Sequence, residues 1–203
     1  MALLALLASC EAPKAVERPI NVKPLAADMK GLLTHEPSGI KFAPRVAALG
    51  RLGSRPGVNK GASIRVSYRC VNEEYQNGRN VTYPLVAMIV VTPASSVSPD
   101  DLRAREADEL VKQHPDAEHE TISGPHAEAD YLVYHQDSSE FPHGMAPSKV
   151  AFNIAHPRAV ELHAFQHGGY TVSYLFTFPA FKRSDFSKMR TGFMKTFEAQ
   201  QGW

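Results

Sequence analysis

Cysteine is scarce: Cys10 and Cys70 are the only two in 203 residues. A multi-disulfide framework, the usual staple of small secreted domains, is therefore excluded. No apolar run approaches the roughly 20 residues that a membrane-crossing helix needs. Neither sign of charge dominates, since the net charge is +1 and the pI about 7.8. No basic excess, and no interleaving of basic and aromatic residues, points to nucleic acid. The sequence contains no Gly-x-Ser-x-Gly, no glycine-rich phosphate loop, no His-Glu-x-x-His and no cysteine beside a histidine. The common hydrolase, nucleotide and zinc-protease signatures are thus missing, and no catalytic residue, cofactor or metal ligand is assigned. No internal repeat is present. At 43% hydrophobic and 21% charged residues, the chain is too apolar to be disordered. Its 22.3 kDa fit one domain with a tail, or at most two small domains.

What is present begins with "MALLALLASCEAPKAVE". Leu3 to Ala8 form a short apolar run with the length of a signal-peptide core, and small residues precede Cys10. No Lys or Arg comes before the run, a departure from the secretory pattern. The stretch Leu7-Ala8-Ser9-Cys10 resembles the lipobox of bacterial lipoprotein precursors. That resemblance implies a signal peptide over 1–9, cleavage before Cys10, and acylation of the Cys10 thiol and new amino group. Each buried methylene contributes about 0.8 kcal/mol, so two or three acyl chains hold a protein on a membrane durably. Glu11, where inner-membrane lipoproteins often carry Asp, favours the outer membrane, with the protein facing the periplasm. Residues 10–38, with Pro13, Pro19 and Pro24 and mixed charges, read as a lipidated cysteine and flexible tether. A short helix near Leu25 to Leu33 is possible within it. Lipidation of Cys10 leaves Cys70 alone, on one strand face with Ile64, Val66 and Tyr68, as a buried inert thiol.

Residues 39–203 read as one domain. Ile40 to Phe42 suggest a short strand in a turn-rich stretch. "ASIRVSYRC" alternates as a half-buried strand, and "PLVAMIVVT" is apolar throughout, as a strand covered on both faces is. Asn77-Gly78 is a hairpin signal inside what reads as a long loop. Ser98, Pro99, Asp100 and Asp101 announce a helix running to about His114 and stopped by Pro115. "ADYLVYHQ", "KVAFNIAH", "AVELHAFQH" and "YTVSYLFTF" follow as strands. A two-residue Gly168-Gly169 turn would oppose His167 to Tyr170, His163 to Tyr174 and Phe165 to Val172. Phe165, Val172, Tyr174 and Phe176 then share one face, and Leu162, Ala164, Ser173 and Leu175 the other. Phe186, Met189, Phe193 and Phe197 recur at helical spacing and close the chain with an amphipathic helix. Trp203 is either a docked anchor or a frayed end. The fold class expected is α+β: a largely antiparallel sheet, one helix between strand groups and one C-terminal helix. This order loosely resembles PsbP-like modules, a resemblance that implies a binding or accessory role and carries no site residues with it.

Charge is unevenly distributed. From Lys41 to Arg69 there are seven basic residues and no acid, whereas from Asp100 to Glu140 there are twelve acids and three basic residues. Such segments either form complementary interfaces or lie side by side and neutralise one another. The candidate partner-binding residues are Arg45, Arg51, Arg55 and Lys60 on the basic side and Asp116, Glu118 and Glu120 on the acidic side. His114, His119, His126 and His135 sit among acids, an acceptable ligand set for zinc or copper but at no established spacing. His163 and His167 share a strand face, where hydrogen bonding to Tyr170 or Tyr174 is the simpler reading. The expectation is a non-enzymatic envelope lipoprotein that binds a protein partner, in its most concrete form an immunity or inhibitor protein against a toxin or lytic enzyme. The alternatives are a metal-binding envelope protein using the His/Asp/Glu cluster and a structural lipoprotein contacting cell-wall polymer.

Overall fold

Period-two alternation and β-branched content organise the molecule around one sheet. The computed structural model describes residues 22–23, 31–57, 61–76, 79–135 and 156–203. In chain order the strands are β1 (Val22–Lys23), β2 (Leu33–His35), β3 (Ile40–Phe42), β4 (Arg45–Val46), β5 (Leu49–Pro56), β6 (Ile64–Gln76) and β7 (Arg79–Pro93). After helix α1 (Pro99–Gln113) come β8 (Glu118–Ser123), β9 (Glu128–Tyr134), β10 (Arg158–His167) and β11 (Tyr170–Pro179), and α2 (Arg183–Gln201) closes the fold. The main sheet runs β4-β5-β6-β7-β11-β10-β9-β8, β1 adds to β6, and β2 pairs with β3 alone. Every described pairing is antiparallel. The expected α+β class, with one helix between strand groups and one at the C-terminus, is the architecture found.

Turn chemistry sets the register. Gly168 and Gly169 have φ of 55° and 81°, the left-handed values that a tight hairpin demands of both central residues. The pairs His167 to Tyr170, Phe165 to Val172 and His163 to Tyr174 follow. The two faces of this hairpin go to different helices, as the apolar content of both requires. Tyr174 and Phe176 join Tyr68, Phe178 and the α2 phenylalanines Phe186, Phe193 and Phe197 in the main core. Leu162, Val160 and Leu132 pack with Ala107 of α1 in a smaller one. Burying each such large apolar side chain contributes about 1.5–3 kcal/mol.

Both helices are bounded as their sequences dictate. Ser98 accepts from the Asp101 amide, Pro99 opens α1, and His114 ends it. At the end of α2, Gly202 turns left-handed at φ 80°, and the Trp203 amide donates to the Glu198 carbonyl at 3.0 Å. That cap seats Trp203 as an anchor, stacked on His167 with ring centres 4.1 Å apart.

Several expectations need correction. The segment given to the tether reaches into the fold: Val22 and Lys23 pair with Asn72 and Val71, and Leu33–His35 pairs with Ile40–Phe42. The helix suggested near Leu25 to Leu33 does not reach its expected end, where Leu33 begins β2; residues 24–30 lie outside the described residues. The long loop around Asn77-Gly78 is instead strand, with Gln76 opposite Arg79. "HPDAEHE" is not only a helix exit, because Glu118 starts a strand. Residues 1–21, which hold the lipobox and Cys10, and 149–155 of "KVAFNIAH" lie outside the described residues.

Candidate functional site

The odd-numbered positions of β10 face α2, which puts Glu161 and His163 on the same side as Phe165 and Tyr174. A carboxylate on a core-facing strand position needs compensation, and two groups supply it. Glu161 Oε1 lies 2.6 Å from His163 Nε2, and Glu161 Oε2 lies 3.0 Å from Nη2 of Arg190 on α2. Arg190 Nη1 also donates to the Arg183 carbonyl at 3.1 Å, and its guanidinium carbon sits 4.4 Å from the Phe178 ring centre. All three side chains are buried. Burial raises the Glu161 pKa, but the His163 hydrogen bond and the Arg190 charge outweigh it and hold the carboxyl below its ordinary 4.5. Burial likewise lowers the Arg190 pKa, against the pull of Glu161. An ionised carboxylate only accepts, so His163 Nε2 carries a hydrogen and donates it. The other ring nitrogen lies beside Gly124, where a Cβ would come within 2.9 Å of it and within 2.6 Å of the Ala127 carbonyl oxygen.

This triad forms the floor of a cleft of about 750 Å³ between α2, β10 and the end of β8. The α2 wall is a second helical stripe beside the phenylalanines: Arg183, Ser184, Ser187, Arg190, Thr191 and Met194. Arg183 lies over the Tyr131 ring, 3.7 Å from guanidinium carbon to ring centre, and donates from Nη1 to Glu120 Oε1 at 2.9 Å. Phe181, 50% exposed, stands at the mouth.

The residues expected to bind a partner divide into two groups. Asp116 heads β8 and accepts from the His135 amide at 3.2 Å, while Glu118 and Glu120 are exposed on the strand itself. Arg45 and Arg55 are exposed on β4 and β5, at the opposite end of the sheet path. Arg51 must be withdrawn. It is buried, and its guanidinium donates to the carbonyls of Phe42 and Gly31, so it ties β5 to the preceding chain. Lys60 lies outside the described residues. The basic and acidic strands are therefore at opposite sheet edges rather than side by side, although Arg65 reaches Glu106 of α1 at 3.2 Å.

The histidines are dispersed. His114 stacks on Tyr134 at 3.8 Å, His119 meets Asp130 at 2.9 Å, and His126 meets Glu198 at 3.0 Å. Among the described residues no group of three or more His, Cys, Asp or Glu is placed to hold a metal ion. His163 bonds Glu161 rather than a tyrosine, and His167 stacks on Trp203, which corrects the tyrosine pairing expected for both. Burial pushes the Cys70 thiol up to about 12, as for an inert core residue. Sequence reasoning missed Glu161 and Arg190. The available signal was a carboxylate alternating in phase with Phe165 in the mostly apolar stretch 159–165 of the strand. No helix among the described residues is long and apolar enough to cross a membrane. Compared with protein-family models, with curated proteins and with solved structures, the chain gives no match.

Proposed function

We propose that the chain is a periplasm-facing outer-membrane lipoprotein, acylated at Cys10, that binds a protein partner through the acidic strand β8. The observation that carries this reading is the placement of Glu118 and Glu120 on an exposed terminal strand, with Asp116 exposed in the turn that leads into it. Charged side chains on an edge strand discourage indiscriminate strand pairing. They also favour a basic partner, speed its approach and set its register. The lipobox resemblance supplies a membrane address, and the loose resemblance to PsbP-like modules supports binding rather than catalysis. An immunity or inhibitor protein against a toxin or lytic enzyme is the concrete form, because that role needs complementarity and location but no catalytic group.

The test is capture by the full chain from the native envelope and secreted fractions, compared between wild type, Glu118→Lys/Glu120→Lys and Arg45→Glu/Arg55→Glu. The expected result is one stoichiometric protein, lost with the β8 reversal and kept with the β4–β5 reversal. Capture indifferent to the β8 reversal would overturn the assignment of the surface. Capture of salt-labile cell-wall polymer through Arg45 and Arg55 would overturn it in favour of a structural envelope role.

A further inference from the structure

The cleft above Glu161 has a donor bias that the partner reading leaves unused. Both Glu161 oxygens are engaged, one by His163 and one by Arg190. The only carboxylate among the described lining residues is therefore already satisfied. Donors remain on the same wall. Arg190, 5% exposed and part of the cleft wall, keeps an Nε–H with no acceptor. Arg183, half-exposed, spends one nitrogen on the solvent-facing carboxylate of Glu120, and exposed pairs of this kind exchange readily. The hydroxyls of Ser184, Ser187 and Thr191 line the same wall and are as able to donate as to accept. The lining holds two guanidinium groups, Arg190 paired with the buried Glu161 and Arg183 with the exposed Glu120, so a ligand oxyanion competes only with Glu120 for Arg183.

A half-exposed guanidinium beside a row of hydroxyls on one helix face offers charged and neutral donors to a ligand oxyanion. We propose that this cleft binds a small organic oxyanion, a carboxylate or phosphate ester, held by Arg183 and the α2 hydroxyls over the Arg190–Glu161 floor. Planar guanidinium groups recognise both kinds of head group through paired hydrogen bonds. The volume of about 750 Å³ exceeds what a bare ion fills and lies in the range of ligand pockets. The body of the ligand rests on Phe181 and Met194, which with Ile122 and Pro125 supply the apolar part of the lining.

The experiment is calorimetric titration of the purified full chain with glucuronate, glucose 6-phosphate, inorganic phosphate and neutral glucose. Glucuronate or glucose 6-phosphate should saturate, the stronger of the two naming the head group, while glucose gives no heat and inorganic phosphate binds at least tenfold more weakly. Arg183→Gln, a change at a half-exposed position, should weaken binding about tenfold, since it removes a charged donor without disturbing the core. Ser187→Ala/Thr191→Val should weaken it severalfold, with both variants keeping the wild-type melting temperature. The proposal is overturned if neither organic anion saturates by about 10 mM, where the binding free energy is below ~3 kcal/mol. It is also overturned if glucose binds as well as they do, if inorganic phosphate matches them, or if Arg183→Gln binds like wild type.

Discussion

Replacing Arg190 with methionine would leave the Glu161 carboxylate buried with only His163 to answer it. The two charged side chains are 6% and 8% exposed and meet at 3.0 Å. Removing one member of such a pair commonly costs about 3–5 kcal/mol, mostly the penalty of a stranded charge. Methionine fills much of the volume over Phe178, and the His163 bond to Glu161 survives, so the expected loss lies at the lower end, about 3 kcal/mol. Domains of this size are stable by about 5–15 kcal/mol, so the effect is easily measured. Glu161→Gln keeps an acceptor for His163 but leaves Arg190 facing a neutral amide, and about 2 kcal/mol is expected. In the double variant neither charge is present, and the combined loss should fall short of the sum by about 2 kcal/mol. Urea unfolding at neutral pH measures all four proteins, with an unchanged denaturant slope confirming that the unfolded states are comparable.

The same residues make a pH prediction whose sign is fixed. Glu161 has its folded pKa below the ordinary 4.5. Its ionised form therefore stabilises the fold fully above that value, and the contribution is lost as pH falls through the lowered one. Wild type should lose stability on that acid limb, and Arg190→Met should lose less, because part of what depresses the Glu161 pKa has gone. If Arg190→Met cost less than about 1 kcal/mol, or the double variant were strictly additive, the pair would not be energetically coupled and the account of the cleft floor would fail.

Three further outcomes are expected. Gly124→Ala places a methyl 2.6 Å from the Ala127 carbonyl oxygen and 2.9 Å from His163 Nδ1; one contact is backbone and cannot swing away, so a loss of about 1–3 kcal/mol should appear in thermal unfolding. Ser98→Ala removes the cap that receives the Asp101 amide at 3.1 Å; about 1 kcal/mol should be lost in chemical unfolding and largely retained by Ser98→Asp. Gly202→Ala asks a residue with a Cβ to hold φ 80°; about 1 kcal/mol should be lost, and the emission of Trp203 should shift to the red as it leaves His167.

The elements legible in the sequence were those whose local signals agree with their burial. The β10–β11 register follows from two adjacent glycines, and α1 follows from Ser98-Pro99-Asp100-Asp101, because turn and cap chemistry act over a few residues. Strand β8 was not legible as such. In "EHETIS" only Ile122 is even partly buried, so no alternation reaches the hydrophobic pattern. The far ends of β6 and β7 read as loop from sequence because Asn72, Glu73 and Glu74 are polar, yet they pair with Tyr83, Thr82 and Val81. Where the charged stretches fall in the sheet was hidden more deeply. Strand order, not sequence distance, puts β4–β5 and β8 at opposite ends, and order is set by which chain crossings the core allows.

The cleft shows how a periodic signal can be read for only half its content. Along α2, Phe186, Phe193 and Phe197 mark the buried stripe, and Arg183, Ser187, Arg190 and Thr191 form a polar stripe beside it. Arg190 is buried nonetheless, because it meets Glu161, which stands in phase with Phe165 on an interior strand, while Ser187 and Thr191 on the same stripe stay exposed. A carboxylate fixed at a core-facing strand position requires a cation across the layer. Of the α2 side chains, Arg190 meets that need, one turn before Phe193 and so beside the aromatic core rather than outside it. Hydrophobic periodicity locates the seam between helix and sheet, whereas the polar residue that breaks the strand's own pattern locates the site along that seam.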